Sequence, residues 1–221
     1  MPSDGGRRVR EFLHRWINYR ARSRARLRDP AYAFLFEPEH SAEAVVFDTE
    51  TTGLSRKRSD IISLAAIRIR GNRLLLSQRL ELLVRPSAAI EHAAVAVHGL
   101  RPMDVADGLP AREAVGRFLQ FIGTRPLVGY YLEFDIAMVN RVIRPWLGVS
   151  LPNRAIEVSA LYYDRVMRDR STREALYTGT VDLSFARILA DLDLPALPAH
   201  DALNDALMTG LIYLKLTAPD G

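Results

Sequence analysis

The stretch Ala44-Val45-Val46-Phe47-Asp48-Thr49-Glu50 constrains this chain more than any other. Four consecutive apolar residues fit a strand covered on both faces. Side chains in a strand alternate with period two, so Asp48 and Glu50 point the same way. At about 4 Å, two like charges repel by roughly 4 kcal/mol at an effective dielectric near 20. A hard divalent cation with oxygen ligands would relieve that repulsion. The plainer alternative is an acidic surface turn followed by a Thr51-Thr52-Gly53 loop, and this stretch alone leaves both open.

The bulk properties narrow the class. With 221 residues and 48% apolar side chains, the chain suits one sizeable domain with an extension. The absence of cysteine excludes disulfides, Cys-ligated zinc and thiol catalysis, and fits a reducing, cytoplasmic compartment. No apolar run approaches the roughly 18 residues needed to span a bilayer, and the N-terminus has no signal-type apolar core.

Charge is unevenly spread. Residues 1–30 hold nine Arg against Asp4, Glu11 and Asp29, a net of +6, so the remainder carries −2 of the total +4. Within this arm Val9, Phe12, Leu13, Trp16 and Ile17 recur at helical spacing, predicting an amphipathic basic helix over 7–28 that ends before Pro30. Such a helix contacts nucleic acid, a membrane surface or a partner such as a polymerase, or packs Phe12 and Trp16 on its own domain. An Arg-rich targeting peptide is a further reading. Residues 1–39 are therefore assigned to a basic helical extension, with 29–42 as connector, and residues 40–217 to the main domain.

Strands are expected over 61–70 and 73–84, joined at Gly71-Asn72, two residues that tolerate positive φ. Next come a loop or short helix over 90–100, a helix over 111–122 and a buried strand at 126–130. A helix follows over 133–144, stopped by Pro145, then a strand running into a helix from 156. Residues 168–180 read as a charged loop, and 183–192 and 201–214 as helices, the last with a stripe of Leu203, Leu207, Leu211 and Leu214. Strands first, then alternating helix and strand, predict a mixed α/β domain with both sheet faces covered.

Two further acidic positions stand out. Asp135 falls in the first turn of a helix after a buried strand, where open α/β sheets place ligands; an Asp there equally satisfies the helix dipole. His200 precedes the last helix, and Asp205 within it lies opposite the leucine stripe, free to face a cleft or solvent.

The ordered set D-x-E, then D, then H-x4-D resembles the DEDD 3′–5′ exonuclease superfamily in its histidine branch, which includes the proofreading epsilon subunit of bacterial DNA polymerase III and ribonuclease T. Phe47 to Leu54 is similar to that family's first motif and His200-x4-Asp205 to its third. Val97-His98-Gly99-Leu100 with Asp104 is similar to an intervening loop. The likeness spans about residues 43–215. One departure is clear: the second motif usually begins His-Asn-Ala, and here reads Tyr130-Tyr131-Leu132, with Phe134-Asp135 retained.

The resemblance implies an RNase H-like fold and hydrolysis of single-stranded nucleic acid from its 3′ end, DNA being favoured, to nucleoside 5′-monophosphates. It implies two Mg²⁺ or Mn²⁺ ions held by Asp48, Glu50, Asp135 and Asp205, with His200 as general base. It sets Thr51, Thr52, Gly53, Leu54 and His98 against the terminal nucleotide. Alternatives are an RNA-trimming exoribonuclease and a non-catalytic nucleic-acid-binding or polymerase-accessory module. The basic turn Arg56-Lys57-Arg58 is read as solvated, or as touching phosphates further along the strand.

Overall fold

Side-chain parity along the first strand decides the layering. A computed structural model of the protein describes residues 22–168 and 181–218. Strand β1 (Glu43–Thr51) is central in a six-stranded sheet. Val45 and Phe47 enter one core, while Ala44 and Val46 enter the other. Asp48 and Glu50 continue the parity of Ala44 and Val46, so the second layer decides what they meet.

Strands β2 (Ile61–Arg70) and β3 (Arg73–Arg85) extend the sheet antiparallel to β1. Of the two residues at their hairpin, Gly71 takes the positive φ of 57°. Helix α1 (His92–His98) precedes the short β4 (Leu109–Pro110), which lies parallel to the end of β3. Helix α2 (Ala111–Ile122) keeps its expected limits. Strand β5 (Leu127–Gly129), helix α3 (Leu132–Leu147), strand β6 (Ala155–Glu157) and helix α4 (Val158–Arg168) follow. Helices α5 (Phe185–Asp191) and α6 (Ala202–Thr217) complete the chain. The strand order is β4-β3-β2-β1-β5-β6, with β5 and β6 running parallel to β1. This is the mixed α/β architecture expected, with helices on both faces.

Three local expectations change. Pro145 does not stop α3, which runs on to Leu147 and a left-handed Gly148. A proline in the last turn has no N–H for the Arg141 carbonyl four residues back, and the carbonyls left open at the helix end are met from outside: the backbone N–H of Arg28 reaches Leu147 O, and its guanidinium reaches Pro145 O, both at 3.0 Å. The connector is not a spacer, since Pro30–Phe36 forms a 3-10 helix whose Leu35 and Phe36 are buried in the first core. Tyr32 meets Trp146 edge-on at 4.7 Å, and Arg112 lies over the same indole.

Third, the leucine stripe is not the deep face of α6. Ala202, Ala206, Met208, Thr209, Gly210 and Ile212 are buried, while Leu203, Leu207 and Leu214 only flank the core. Small residues at 202, 206 and 210 let the helix approach the sheet closely. A Cβ on Gly210 would stand 2.6 Å from Leu74 Cδ2 and 3.2 Å from Val46 Cγ1. Of the predicted arm helix, residues 22–25 are helical; residues 1–21, and 169–180 of the predicted loop, lie outside the described residues.

Candidate active site

Parity and close packing bring three carboxylates together. Asp48 and Glu50 leave the β1 face that α6 covers, and Asp205 stands in the first turn of α6. One oxygen from each lies within 4.8 Å of the others, the one such group of acid, His or Cys ligands among the described residues. A register irregularity falls between Glu50 and Thr51, where the strand opposes Ile61 after skipping a residue. Such breaks re-aim side chains at the ends of paired strands.

Asp135 enters from α3 on the other side of β1. Its Oδ1 accepts the backbone N–H of Thr49 at 3.1 Å and the Thr49 hydroxyl at 2.5 Å. Thr49 points to the opposite face from Asp48 and Glu50, so this link fixes α3 to the strand bearing both acids. Asp135 stands outside the group of three, buried at the strand's edge.

The electrostatics follow from crowding. Burial, then Asp135, Glu50 and Asp205, push the Asp48 carboxyl well above the usual carboxylate range. Burial and then Asp205 lift Glu50 to about 7. Burial lifts Asp135 to about 7 against the opposing Thr49 hydrogen bonds, with Glu157 adding to the rise. Burial also raises Asp205, against the His200 N–H that its Oδ2 accepts at 3.0 Å. Asp205 Oδ1 is buried with no hydrogen-bond partner. An orphaned carboxylate oxygen among crowded acids fits a hard divalent cation, which takes oxygen ligands and reverses the sign of the local field.

His200 occupies a left-handed backbone position, φ 64°, and its side chain is exposed. It lines two cavities that meet at the acids. One, of about 290 Å³, includes Glu50, His98, Leu100 and Asp201. The other, of about 620 Å³, includes Asp48, Tyr130, Phe185, Asp205 and Met208.

The loop after β1 is held from within. The Thr51 hydroxyl donates to Gly53 O, and Thr52 Oγ1 accepts the Asp60 N–H. A Cβ on Gly53 would fall 2.5 Å from the Glu91 carboxylate, the far end of an exposed side chain that would have to swing aside. Leu54 projects with 88% of its surface exposed. His98 is half-buried, its Nδ1 accepting the Leu100 N–H at 3.1 Å, and burial holds its pKa below the usual imidazole range. Arg56 pairs with Glu133 at 2.5 Å, joining the loop to the first turn of α3.

Two acids were not singled out from sequence. Glu157, at the end of β6, accepts the Leu132 N–H at 2.9 Å and so caps α3, where Tyr131 makes no side-chain cap bond. Asp201 caps α6 through Asn204 N and adds negative field to Asp48, Glu50 and Asp205. The signal available for Glu157 was its place at the carboxyl end of a parallel strand, the edge where such sheets bind ligands.

Comparison with known proteins gives the family and the fold. The exonuclease model of the RNase T type matches residues 45–213. The chain is 25% identical over 172 residues to the epsilon subunit of DNA polymerase III from Aquifex aeolicus, covering 78% of this chain and 79% of that one. It is 30% identical to an epsilon-like protein of Rhodobacter capsulatus, but spans only 23% of that protein's length. Among solved structures, exonuclease X bound to 5′-overhanging duplex DNA matches with a TM-score of 0.58 at 23% identity, covering 78% of this chain and 90% of that one. Escherichia coli exonuclease I bound to a dT13 oligonucleotide matches with a TM-score of 0.63 at 14% identity, covering 78% and 40% respectively. At these identities the solved structures establish the shared RNase H-like fold. No helix among the described residues is long and apolar enough to cross a membrane. The family match covers most of the chain and every one of the acids gathered at the end of β1, and the protein belongs to the RNase T family of exonucleases.

Proposed function

We propose that the protein removes nucleotides from the 3′ end of single-stranded nucleic acid, DNA in preference to RNA, by hydrolysis dependent on two divalent cations. The observation that carries the reading is the approach of Asp48, Glu50 and Asp205 within 4.8 Å, with Asp205 Oδ1 buried and unpartnered. Asp48, Glu50, Asp135 and Asp205 would hold Mg²⁺ or Mn²⁺, which when bound supply positive charge for the attacking and leaving oxygens.

The chain's own residues do the rest. His200, exposed at the junction of both cavities, takes a proton from the attacking water. The water oxygen bonds to the terminal phosphorus, and the bond to the preceding nucleotide's 3′ oxygen breaks. That oxygen leaves with a proton, and a nucleoside 5′-monophosphate is released. Leu54 presses on the terminal base, while His98, Thr51, Thr52 and Gly53 shape its seat. Thr49 holds Asp135 in register with the strand acids. The epsilon homology supports a DNA substrate and a polymerase partner, which the basic arm would contact.

The test uses single-stranded DNA and RNA labelled at the 5′ end, with Mg²⁺ or Mn²⁺. A metal-dependent ladder of shortening 5′-labelled products, lost in Asp48→Ala and stronger on DNA, is expected. Release of the label as a mononucleotide at the outset would reverse the polarity. No shortening of either strand would overturn the enzymatic reading.

A further inference from the structure

The edge of the site carries an aromatic side chain that the mechanism above does not use. Tyr131 lies between β5 and α3, four residues before Asp135. The residue is 64% exposed, although its backbone is left-handed at φ 51° and ψ 32°. Among the described residues only four non-glycine positions have positive φ, and two of them, Tyr131 and His200, are at this site. Gly or Asn would occupy such a position with less strain. An exposed ring gains little burial to offset the cost, and strain retained beside a cleft marks a position under functional constraint.

The ring is also braced. Tyr130 meets it edge-on, with centroids 4.6 Å apart and planes at 65°. Tyr130 is itself fixed by Phe185 at 4.8 Å and by its hydroxyl, which donates to Leu183 O at 3.0 Å. Tyr130 and Phe185 both line the larger cavity with Asp48 and Asp205, so the aromatic series runs from the acids outward to Tyr131. The Arg56–Glu133 pair sets the neighbourhood on the other side. Leu54 lies two residues before Arg56, and Tyr131 two before Glu133. The Arg56–Glu133 pair thus ties the loop that carries the exposed Leu54 to the helix that begins just after the exposed Tyr131.

We propose that Tyr131 is a stacking platform for an unpaired base of the substrate strand upstream of the scissile phosphate, a binding residue that selects single-stranded over paired ends. The proposal rests on the exonuclease reading. Every base offers a π-face, so such a platform binds without strong sequence preference. A paired base keeps its own stacking partners and has less to gain from the ring, so duplex ends bind less well.

The experiment compares KM and kcat for the full chain on two substrates, a short single-stranded oligothymidylate and the p-nitrophenyl ester of thymidine 5′-monophosphate, which has no upstream base. Tyr131→Ala should raise KM for the oligonucleotide by about 5- to 150-fold, the range for one base–aromatic stack. The increase should be much smaller for the ester, and Tyr131→Phe should restore oligonucleotide KM. Tyr131→Asn suits the left-handed backbone, so it should melt no lower than wild type and still show the oligonucleotide defect; it replaces Tyr131→Ala if that variant does not fold. Equal losses on both substrates, or none on either, would overturn the platform while leaving the exonuclease intact. If wild type cleaves neither substrate with Mg²⁺ or Mn²⁺, the exonuclease reading falls and the platform with it.

Discussion

Thr49 gives both its backbone N–H and its hydroxyl to a single oxygen of Asp135. The two residues are 86 positions apart, and the link ties the central strand to the helix that brings in the fourth acid. A hydrogen bond to a charged group contributes about 1.5–3 kcal/mol. Partners that orient a metal-binding carboxylate typically govern affinity by 10- to 100-fold.

Thr49→Val keeps the side chain's shape and removes the hydroxyl. The Mg²⁺ concentration for half-maximal activity should rise by about 10- to 100-fold. Turnover at saturating Mg²⁺ should fall far less. A titration of activity against Mg²⁺ checks this, and an unchanged midpoint would remove Asp135 from the metal-binding set.

The raised carboxyls predict how the metal-free protein responds to pH. Glu50 and Asp135 are both lifted to about 7, and Asp48 and Asp205 are also raised. In the folded chain these groups hold protons that the unfolded chain releases near pH 4. The native state therefore binds more protons between about pH 4 and 7, and stability falls as pH rises through that window. His98, held low by burial, opposes the trend near its ordinary pKa, but it is one group against four. Glu43 and Asp60 have lowered pKa values, so their stabilisation is lost only in more acidic solution. Melting of the metal-free protein should move to lower temperature between pH 5 and 8. Mg²⁺ or Mn²⁺ should raise it more at pH 8, where protons no longer compete. A melting temperature that climbs steadily with pH in chelator would contradict the electrostatics of the site.

Much of this site could be read in the sequence, and the exceptions share a cause. Asp48 and Glu50 were legible because period-two alternation and an apolar run are local properties. The hairpin at Gly71 and the limits of α2 were legible for the same reason. The deep face of α6 was not, because leucines dominate any hydrophobicity pattern while close helix–sheet approach selects Ala206 and Gly210. Pro145 misled because a proline in the last turn costs a single N–H, and the helix end is met by Arg28, over a hundred positions away. Leu35 and Phe36 were hidden in a Pro-bounded segment too short to show a period. The Thr49–Asp135 link and the Glu157 cap are tertiary pairings without a local signature.

The close approach of α6 gives a test of how packing supports chemistry. Gly210 faces Val46 and Leu74, five positions beyond Asp205. In Gly210→Ala the Leu74 side chain can turn aside, and the helical gain of about 1 kcal/mol over glycine offsets the crowding. Gly210→Val adds two methyl groups against the buried Val46 and should cost about 1–3 kcal/mol by overpacking. Because the helix moves as a unit, Asp205 should shift from Asp48 and Glu50, weakening Mg²⁺ dependence as well as stability. Melting and a Mg²⁺ titration on both variants check this. Normal Mg²⁺ dependence in a destabilised Gly210→Val would separate packing from the site.

Asp48→Asn should pull stability and activity in opposite directions. Asp48 meets the largest set of repulsions, from Asp135, Glu50 and Asp205, on top of its burial. Asparagine preserves the shape and removes the charge. At pH 5 Glu50 and Asp135, both lifted to about 7, hold protons already, so the metal-free variant should melt closer to wild type than it does at pH 8. At pH 8 relief of repulsion should stabilise it by roughly 1–2 kcal/mol, or about 2–8 °C for a chain of this size. Stabilisation by added Mg²⁺ should largely disappear. Turnover should fall on the order of a thousandfold, since bound cations contribute several kcal/mol to the transition state. A scaffold role for Asp48 predicts the reverse in the melt, a loss at both pH values, so metal-free melting at pH 5 and 8 separates a carboxylate kept for chemistry from one kept for the fold.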